Sequence, residues 1–534
     1  MIEPAIEPAT KPIQQPSPQA PGLGRKLVAS TFTNFAGQLV LMAATFLWTP
    51  YIVRNFGDAL YGVFVLLMTY VAVFTLLELG INSSLVKHLA ETIPQKRLED
   101  VNSYLGTAMA LFSGTAVVVA LISAIGAPYI VRLALNVPSQ YFEVAVLGVR
   151  IASVAFALQF ISQGFASVPI ATHRFDVMNG IQVGTEILRM ALTAAAVFAG
   201  YRLTAVMLIT LLTSSLRLLA FAIAASKLVP GISLRPRFST KHLSHILHFS
   251  KYIFISKVSS TAVWSADKLF IGHFLPIQFV AFYSIPFQLS QRVWALAGNV
   301  TTVVFPAASE LSMEASKARL HNLYLRSNKM VTAILMAPAL LLFVFSSQIL
   351  TYWINPLFAE RGAWPLRLLA LGFMLNGLTV VPALVAAAVN RPNIQAAFAV
   401  ANSTANIALF LMLIPRYGTT GAAAAFFITQ AVQWPWYMHT VNRLIGMNSS
   451  ILLKKVYGRI AIPSICTFVL AFALRSMVHS LLSLLVCLTA IVLANLVLLF
   501  FFALDGDERG TCFQVANSWI PCRARELFST GGGA

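Results

Sequence analysis

Acidic residues are scarce in this chain. It has 18 Asp and Glu against 37 Lys and Arg in 534 residues, and only 10% of all residues are charged. A soluble domain carries about 25% charged residues, so the composition excludes an ordinary soluble protein. Cysteine is nearly absent too, at four residues, which excludes a disulfide-built scaffold. Cys512 and Cys522 have nine residues between them and no His pair nearby, a poor zinc pattern; ordinary reduced thiols are the better reading. There is no Walker motif or glycine-rich nucleotide loop, so no ATPase is expected within the chain. The first residues contain no basic region followed by an apolar core, so no cleavable signal peptide is expected. Residues 1–24, rich in Pro, Glu and Gln, read as a disordered tail.

What the chain has in quantity is apolar sequence: 58% hydrophobic residues, with a mean hydropathy of +0.77. Apolar runs of about 20 residues, the length that spans a bilayer as a helix, recur throughout. The runs are continuous, not alternating, which selects helices over a closed barrel. The expected fold is therefore an all-α polytopic membrane protein with about fourteen transmembrane helices. The spans fall near 28–53, 60–79, 103–126, 143–168, 180–201, 203–227, 250–275, 279–304, 330–351, 368–389, 394–415, 418–440, 456–474 and 481–504.

The basic residues sort by position. Of the 37, 24 lie in the tails and even-numbered connections, seven in the odd-numbered connections, and six inside spans. By the positive-inside rule both termini are cytoplasmic. Most of the +19 net charge is thus topological and calls for no nucleic-acid partner. Outer connections reach only about 16 residues. The cytoplasmic stretch Ser309–Lys329 reads as an amphipathic surface helix.

A faint internal repeat is present. PYIVRNFGDALYGVF from Pro50 resembles KLFIGHFLPIQFVAFY from Lys268, His173-Arg174 matches Asn390-Arg391, and YRLTA from Tyr201 matches YGTTG from Tyr417. The offsets agree within a few residues. They predict two six-helix lobes, 25–228 and 229–445, then spans 13 and 14 over 446–504 and a cytoplasmic tail over 505–534. Parallel lobes of this kind enclose a substrate site between them in transporters.

The six intramembrane bases are Arg150, Arg189, Arg217, Lys257, Lys268 and Arg292. A mid-bilayer charge costs about 2.5–3.5 kcal/mol on the lenient scale, so six facing lipid would cost on the order of 15–20 kcal/mol. That exceeds the typical net stability of a domain, about 5–15 kcal/mol. Only Glu78, Glu186 and Asp267 accompany them inside the spans. The surplus predicts a cationic cavity and an anionic ligand.

Arg150, Arg189 and Arg292 are the first choices for ligand contact, followed by Arg217 and Lys268. Lys257, Thr261, Trp264 and Lys268 share one helical face, where two ammonium groups flank an indole suited to a sugar ring. Lys257 has two readings, ligand contact or snorkelling to the headgroups. Lys268 has the same two. Asp267 is expected to pair with a cation on another helix, such as Arg292. Glu186 and Arg189, at i and i+3, form either a neutralised packing pair or a coupling device in which Glu186 takes a proton when an anion competes for Arg189. Asn402 and Asn406 share a face suited to interhelical hydrogen bonds. Trp434, Trp436 and Tyr437 read as interfacial anchors.

The chain resembles polysaccharide flippases of the Wzx type, within the multidrug/oligosaccharidyl-lipid/polysaccharide superfamily. Its landmarks, over roughly residues 25–445, are Asn34, PYIVRNFGDALYG, LLELGINSSLVKHLAE, ATHRFDVMN, DKLFIGHFLPIQFVAFY, VFPAASEL and YGTTGAAAA. Glu78 stands where the family usually has Asp. The resemblance implies movement of a polyprenyl-diphosphate-linked oligosaccharide to the periplasmic leaflet of a bacterial inner membrane, by alternating access between two lobes. It also implies membrane lipids and other polysaccharide-assembly membrane proteins as partners, no cofactor, and coupling to H+ or Na+. The nearest rival is a cation-coupled drug exporter of the same superfamily, whose cavity should be acidic. The rival from another class is a membrane polysaccharide polymerase or ligase, which would need acidic or His residues and a substantial loop on the outer face.

Overall fold

Apolar runs hold their backbone hydrogen bonds within the segment, and the chain is helical accordingly. The structure, a computed structural model, describes residues 23–78, 80–233, 235–239, 264–313, 317–506 and 508–510. No strand occurs among the described residues. Ten helical stretches among them are long and apolar enough to cross a membrane. In chain order the helices are α1 (Leu23–Phe56), α2 (Asp58–Val73), α3 (Ile81–Thr92), α4 (Leu98–Tyr129), α5 (Phe142–Ala171), α6 (Phe175–Phe198) and α7 (Leu203–Leu228). They continue with α8 (264–274), α9 (Gln278–Met313), α10 (Lys317–Val344), α11 (Ser346–Trp353), α12 (Pro356–Leu378), α13 (Val380–Ala388) and α14 (Pro392–Leu444). A short α15 (Ser449–Leu452) precedes α16 (Gly458–Leu474) and α17 (Leu481–Leu498). The first part of expected span 7, with Lys257 and Thr261, lies outside the described residues.

Glycine marks the reversals. Expected spans 11 and 12 both fall on α14, which breaks at Gly418 with φ 60° and ψ −139°. That region of backbone space belongs to glycine. Two other turns match in detail at the repeat offset. His173 and Asn390 both take positive φ, 56° and 59°. Arg174 N donates to Pro169 O at 2.8 Å, and Arg391 N donates to Ala386 O at 2.9 Å. The αL residue at a helix end with a back-donated amide is a standard C-terminal stop, used here at 173 and again at 390.

The expected surface helix over Ser309–Lys329 is corrected. Its described residues belong to the long helices α9 and α10, and Lys317–Val344 is itself long and apolar enough to cross a membrane. The reason is packing: Tyr324 is fully buried in a cluster with Met438, Ile445 and Val456, so this face covers protein and not headgroups.

One end of the bundle is tied across its two halves. Arg54, in the last turn of α1, donates from Nε to Ile354 O at 3.1 Å and from Nη2 to Trp353 O at 3.4 Å. Trp353 Nε1 donates to Phe46 O at 2.9 Å, and the two rings stack with centroids 4.7 Å apart. Asn136 Nδ2 donates to His273 O at 3.2 Å. Beside these contacts α2 crosses the start of α9. A Cβ at Gly62 would lie 2.3 Å from the Ile277 carbonyl oxygen, so only glycine permits that approach. Elsewhere α16 packs on α10 and α17. Lys329 of α10 holds the chain beyond α17 through Ala503 O (3.2 Å), Asp505 Oδ2 (3.0 Å) and Glu508 Oε2 (2.6 Å).

Candidate functional site

A cavity of about 610 Å³ opens among α1, α2, α5, α6, α7, α8 and α9. Its charged lining is Arg189, Arg217, Lys268 and Glu186, a net of two positive charges. Glu186 and Arg189 lie on α6, the helix whose i, i+3 spacing brings them together. Arg189 Nε donates to Glu186 Oε1 at 3.1 Å and to Oε2 at 3.2 Å. Arg217, midway along α7, approaches the same carboxylate, with Nη2 3.5 Å from Oε2. Its Nε donates to Thr185 Oγ1 at 3.0 Å. Two guanidinium groups therefore share one carboxylate, and the cluster retains a positive charge. In low dielectric an unneutralised charge is costly unless a ligand or water completes it. The Arg189 guanidinium carbon also stands 5.4 Å from the Trp48 ring centroid, which keeps the planar group oriented.

Lys268 approaches from α8. Its Nζ donates to Trp264 O at 2.9 Å and to Asp267 Oδ1 at 3.2 Å, and lies 3.7 Å from the Phe287 ring centroid. Asp267 is 1% exposed, and its Oδ2 is buried without a hydrogen-bond partner. The expected pairing of Asp267 with Arg292 is corrected: the carboxylate holds Lys268, its neighbour in sequence, because Asp267 Oδ1 also accepts from Lys268 N at 2.8 Å. Trp264 lines the cavity one helical turn before Lys268, as their shared face requires.

The structure does not bring all the expected cations here. Arg150 is exposed on α5, outside the cavity, where its Nε donates to Ala124 O of α4 at 3.3 Å. It lies eight residues after Phe142, where α5 begins, about 12 Å along the axis. Near a helix end a guanidinium reaches the headgroups, so the full mid-bilayer cost used in the charge argument does not apply to it. Arg292 is half-buried on α9, one residue past Gln291, and lines neither this cavity nor the second one described below. A step of one residue turns a helical side chain by about 100°. Glu78 ends the 3-10 turn Phe74–Glu78 after α2 and is also outside the cavity lining.

Several lining residues escape the charge argument. Gln288 and Gln291 share a face of α9, and Gln159 projects from α5. They are amides within apolar runs, a signal that the spacing i, i+3 carries for the first two. Trp48 gave no such signal, since an aromatic in a span is as often core as site.

A second cavity, of about 530 Å³, lies across Trp264 among α9, α12, α13 and α14. Tyr437, expected at the interface, is 2% exposed and lines it, with its ring centroid 4.6 Å from that of Phe398. Trp436 is 61% exposed, so the aromatic trio splits between core and surface.

Comparison with known proteins places the sequence in a family. A family model described as polysaccharide biosynthesis protein matches residues 53–354. The chain is 22% identical to the Bacillus subtilis membrane protein EpsK over 439 residues, 80% of this chain and 86% of that protein. It is 20% identical over 388 residues to a Shigella flexneri protein named as an O-antigen transporter, covering 71% of this chain and 88% of that one. Its fold is similar to that of the lipid II flippase MurJ in an inward closed conformation, with TM-score 0.69 and 16% identity, over 89% of this chain and 98% of that one. The chain belongs to the polysaccharide biosynthesis protein family, the placement its motifs imply.

Proposed function

We propose that this multi-pass membrane protein is a flippase. It carries a polyprenyl-diphosphate-linked oligosaccharide from the cytoplasmic to the periplasmic leaflet, and it is not an enzyme. The observation that carries the reading is the cationic cavity: Arg189 and Arg217 share the one carboxylate of Glu186 and keep a surplus positive charge, beside Lys268, which Asp267 holds from behind the lining. A diphosphate offers oxygens to both guanidinium groups, and planar forks hold phosphate oxygens in pairs. As the anion enters it displaces Glu186 from Arg189 and Arg217. The carboxylate then stands in a low-dielectric site without its partners and takes up a proton. Release of the diphosphate restores the ion pairs and expels the proton. That cycle carries the proton outward with the anion, so transport depends on the proton gradient and is favoured when the cytoplasmic side is the more acidic; a Na+ ion held by Glu186 or Asp267 is the alternative coupling partner.

The end tied by Arg54 and Trp353 carries odd-numbered connections, which the positive-inside rule assigns to the periplasmic side. In this reading both termini are cytoplasmic and this conformation is shut toward the periplasm. Breaking those ties opens the site to the other leaflet. A drug exporter for cationic compounds is disfavoured by the sign of the cavity. The test is leaflet translocation of a labelled undecaprenyl-diphosphate oligosaccharide in proteoliposomes. Translocation above that of empty vesicles supports the reading, and none in folded, membrane-inserted preparations overturns it.

A further inference from the structure

The second cavity has a different chemistry from the first. None of its described lining residues is charged. Its polar side chains include four carboxamides, from Asn376, Gln395, Asn402 and Gln433, with the hydroxyls of Thr379 and Tyr437 and the indoles of Trp264 and Trp294. Each carboxamide presents both donors and an acceptor, the combination that sugar hydroxyls, themselves donors and acceptors, require. Two of the amides are fixed in place by a buried relay. Asn376 Nδ2 donates to Gln430 Oε1 at 3.0 Å, and Gln430 Nε2 donates to Asn402 Oδ1 at 3.4 Å. Gln430 is fully buried. Asn376 Oδ1 and Asn402 Nδ2 are left for a ligand. The Oε1 of Gln433 is buried without a partner, an uncompensated acceptor in a residue of the same wall. Aromatic faces complete the wall. Trp294 meets Trp264 edge to face with centroids 4.8 Å apart, and Trp264 lines both cavities.

We propose that this second cavity is a saccharide subsite, which takes neutral sugar residues of a glycan whose diphosphate occupies the first. The inference rests on the flippase reading above. Its volume of about 530 Å³ falls in the usual small-ligand range, about 300–1,000 Å³. A polyprenyl tail is a poor occupant, because it would strip water from the amides and return no hydrogen bond. An anionic group is a poor occupant too, since no cation is among the described lining residues. The two cavities together sort the parts of one substrate: charge on the α6–α7 side, hydroxyls on the α12–α14 side, with Trp264 between them.

The test uses the full chain in nanodiscs and three probes: undecaprenol, undecaprenyl diphosphate, and undecaprenyl diphosphate bearing a neutral tetrasaccharide. Wild type should bind the tetrasaccharide lipid about tenfold more tightly than the bare diphosphate. Asn402→Leu with Gln433→Leu should close that gap and leave the bare diphosphate affinity unchanged. Arg189→Ala with Arg217→Ala should weaken both diphosphates. If the double amide variant fails to fold, Asn402→Ala alone should narrow the gap by about fivefold. The subsite is overturned if wild type binds both diphosphates equally, if the amide variants keep the gap, or if they weaken both lipids alike. Bare undecaprenyl diphosphate binding no better than undecaprenol would instead overturn the flippase reading, and the subsite with it.

Discussion

Arg54 holds the two halves of the bundle together at one end, and its removal should shift the conformational balance. The helix α11 ends at Trp353, leaving its last carbonyls without intrahelical donors and at the negative end of the helix dipole. Arg54 supplies two of the missing donors, to Trp353 O and Ile354 O. Hydrogen bonds from a charged group contribute about 1.5–3 kcal/mol when well made. Arg54 is exposed and one of its contacts is 3.4 Å long. We therefore take about 1.5 kcal/mol for the pair together, close to a tenfold shift in the ratio of shut to open forms. Trp353→Ala removes a further hydrogen bond of about 1 kcal/mol and an aromatic stack of about 0.5–1.5 kcal/mol. The double variant should thus move the balance by roughly a hundredfold or more. The assay is double electron–electron resonance between spin labels at Asn55 and Glu360, both exposed on opposite sides of this contact, in a background with the four cysteines replaced. Wild type should show one short distance, Arg54→Ala a second longer component, and Arg54→Ala with Trp353→Ala mainly the longer one. An unchanged distance distribution in the double variant would refute the assignment of these contacts as a closure.

Glu186→Gln should retain binding of the anionic lipid but lose the dependence of transport on an imposed pH gradient; dependence equal to wild type would rule Glu186 out as the proton carrier. Gly62→Ala should lower the thermal midpoint by the equivalent of about 1–3 kcal/mol of overpacking, because the Ile277 carbonyl cannot retreat. Gly114→Ala, where a Cβ meets nothing within 4 Å, should not lower it. The Asp505 carboxyl is held below the usual carboxylate range by its hydrogen bond from Lys329, helped by Arg459. A depressed carboxylate pKa means that this anchoring is intact at neutral pH and disappears only as pH falls through the folded-state value, below the usual carboxylate range. A spin label at Gly510 should therefore stay immobile from pH 8 to 5 and loosen only in stronger acid, whereas Asp505→Asn should loosen it at pH 7.

The sequence carried the chemistry of the site better than its membership. Glu186 with Arg189 and Trp264 with Lys268 were legible because helical spacing alone decides which residues share a face. The contact of Arg217 with Glu186 was not legible, since it depends on how α6 packs against α7. Arg150 was misplaced because the charge argument treats every base within a span as though it sat at mid-bilayer. Arg292 was placed at a sensible depth, but its direction around α9 is fixed by neighbours, which turned Gln288 and Gln291 toward the cavity instead. His173-Arg174 and Asn390-Arg391, paired in the sequence, form two turns with similar positive φ and similar backbone hydrogen bonds. The aromatic trio at 434–437 shows the limit of composition: Trp436 faces out while Tyr437 packs inward, a difference set by rotation about one helix axis.

The most direct test of the central claim is translocation of undecaprenyl-diphosphate oligosaccharide in proteoliposomes by Arg189→Ala with Arg217→Ala and Lys268→Ala, beside Arg150→Ala with Arg292→Ala. The cavity triple variant, present in the membrane at wild-type level, should lose transport at least a hundredfold, while the other pair retains most of it. Wild-type transport by the triple variant, or equal loss in both, would contradict the claim.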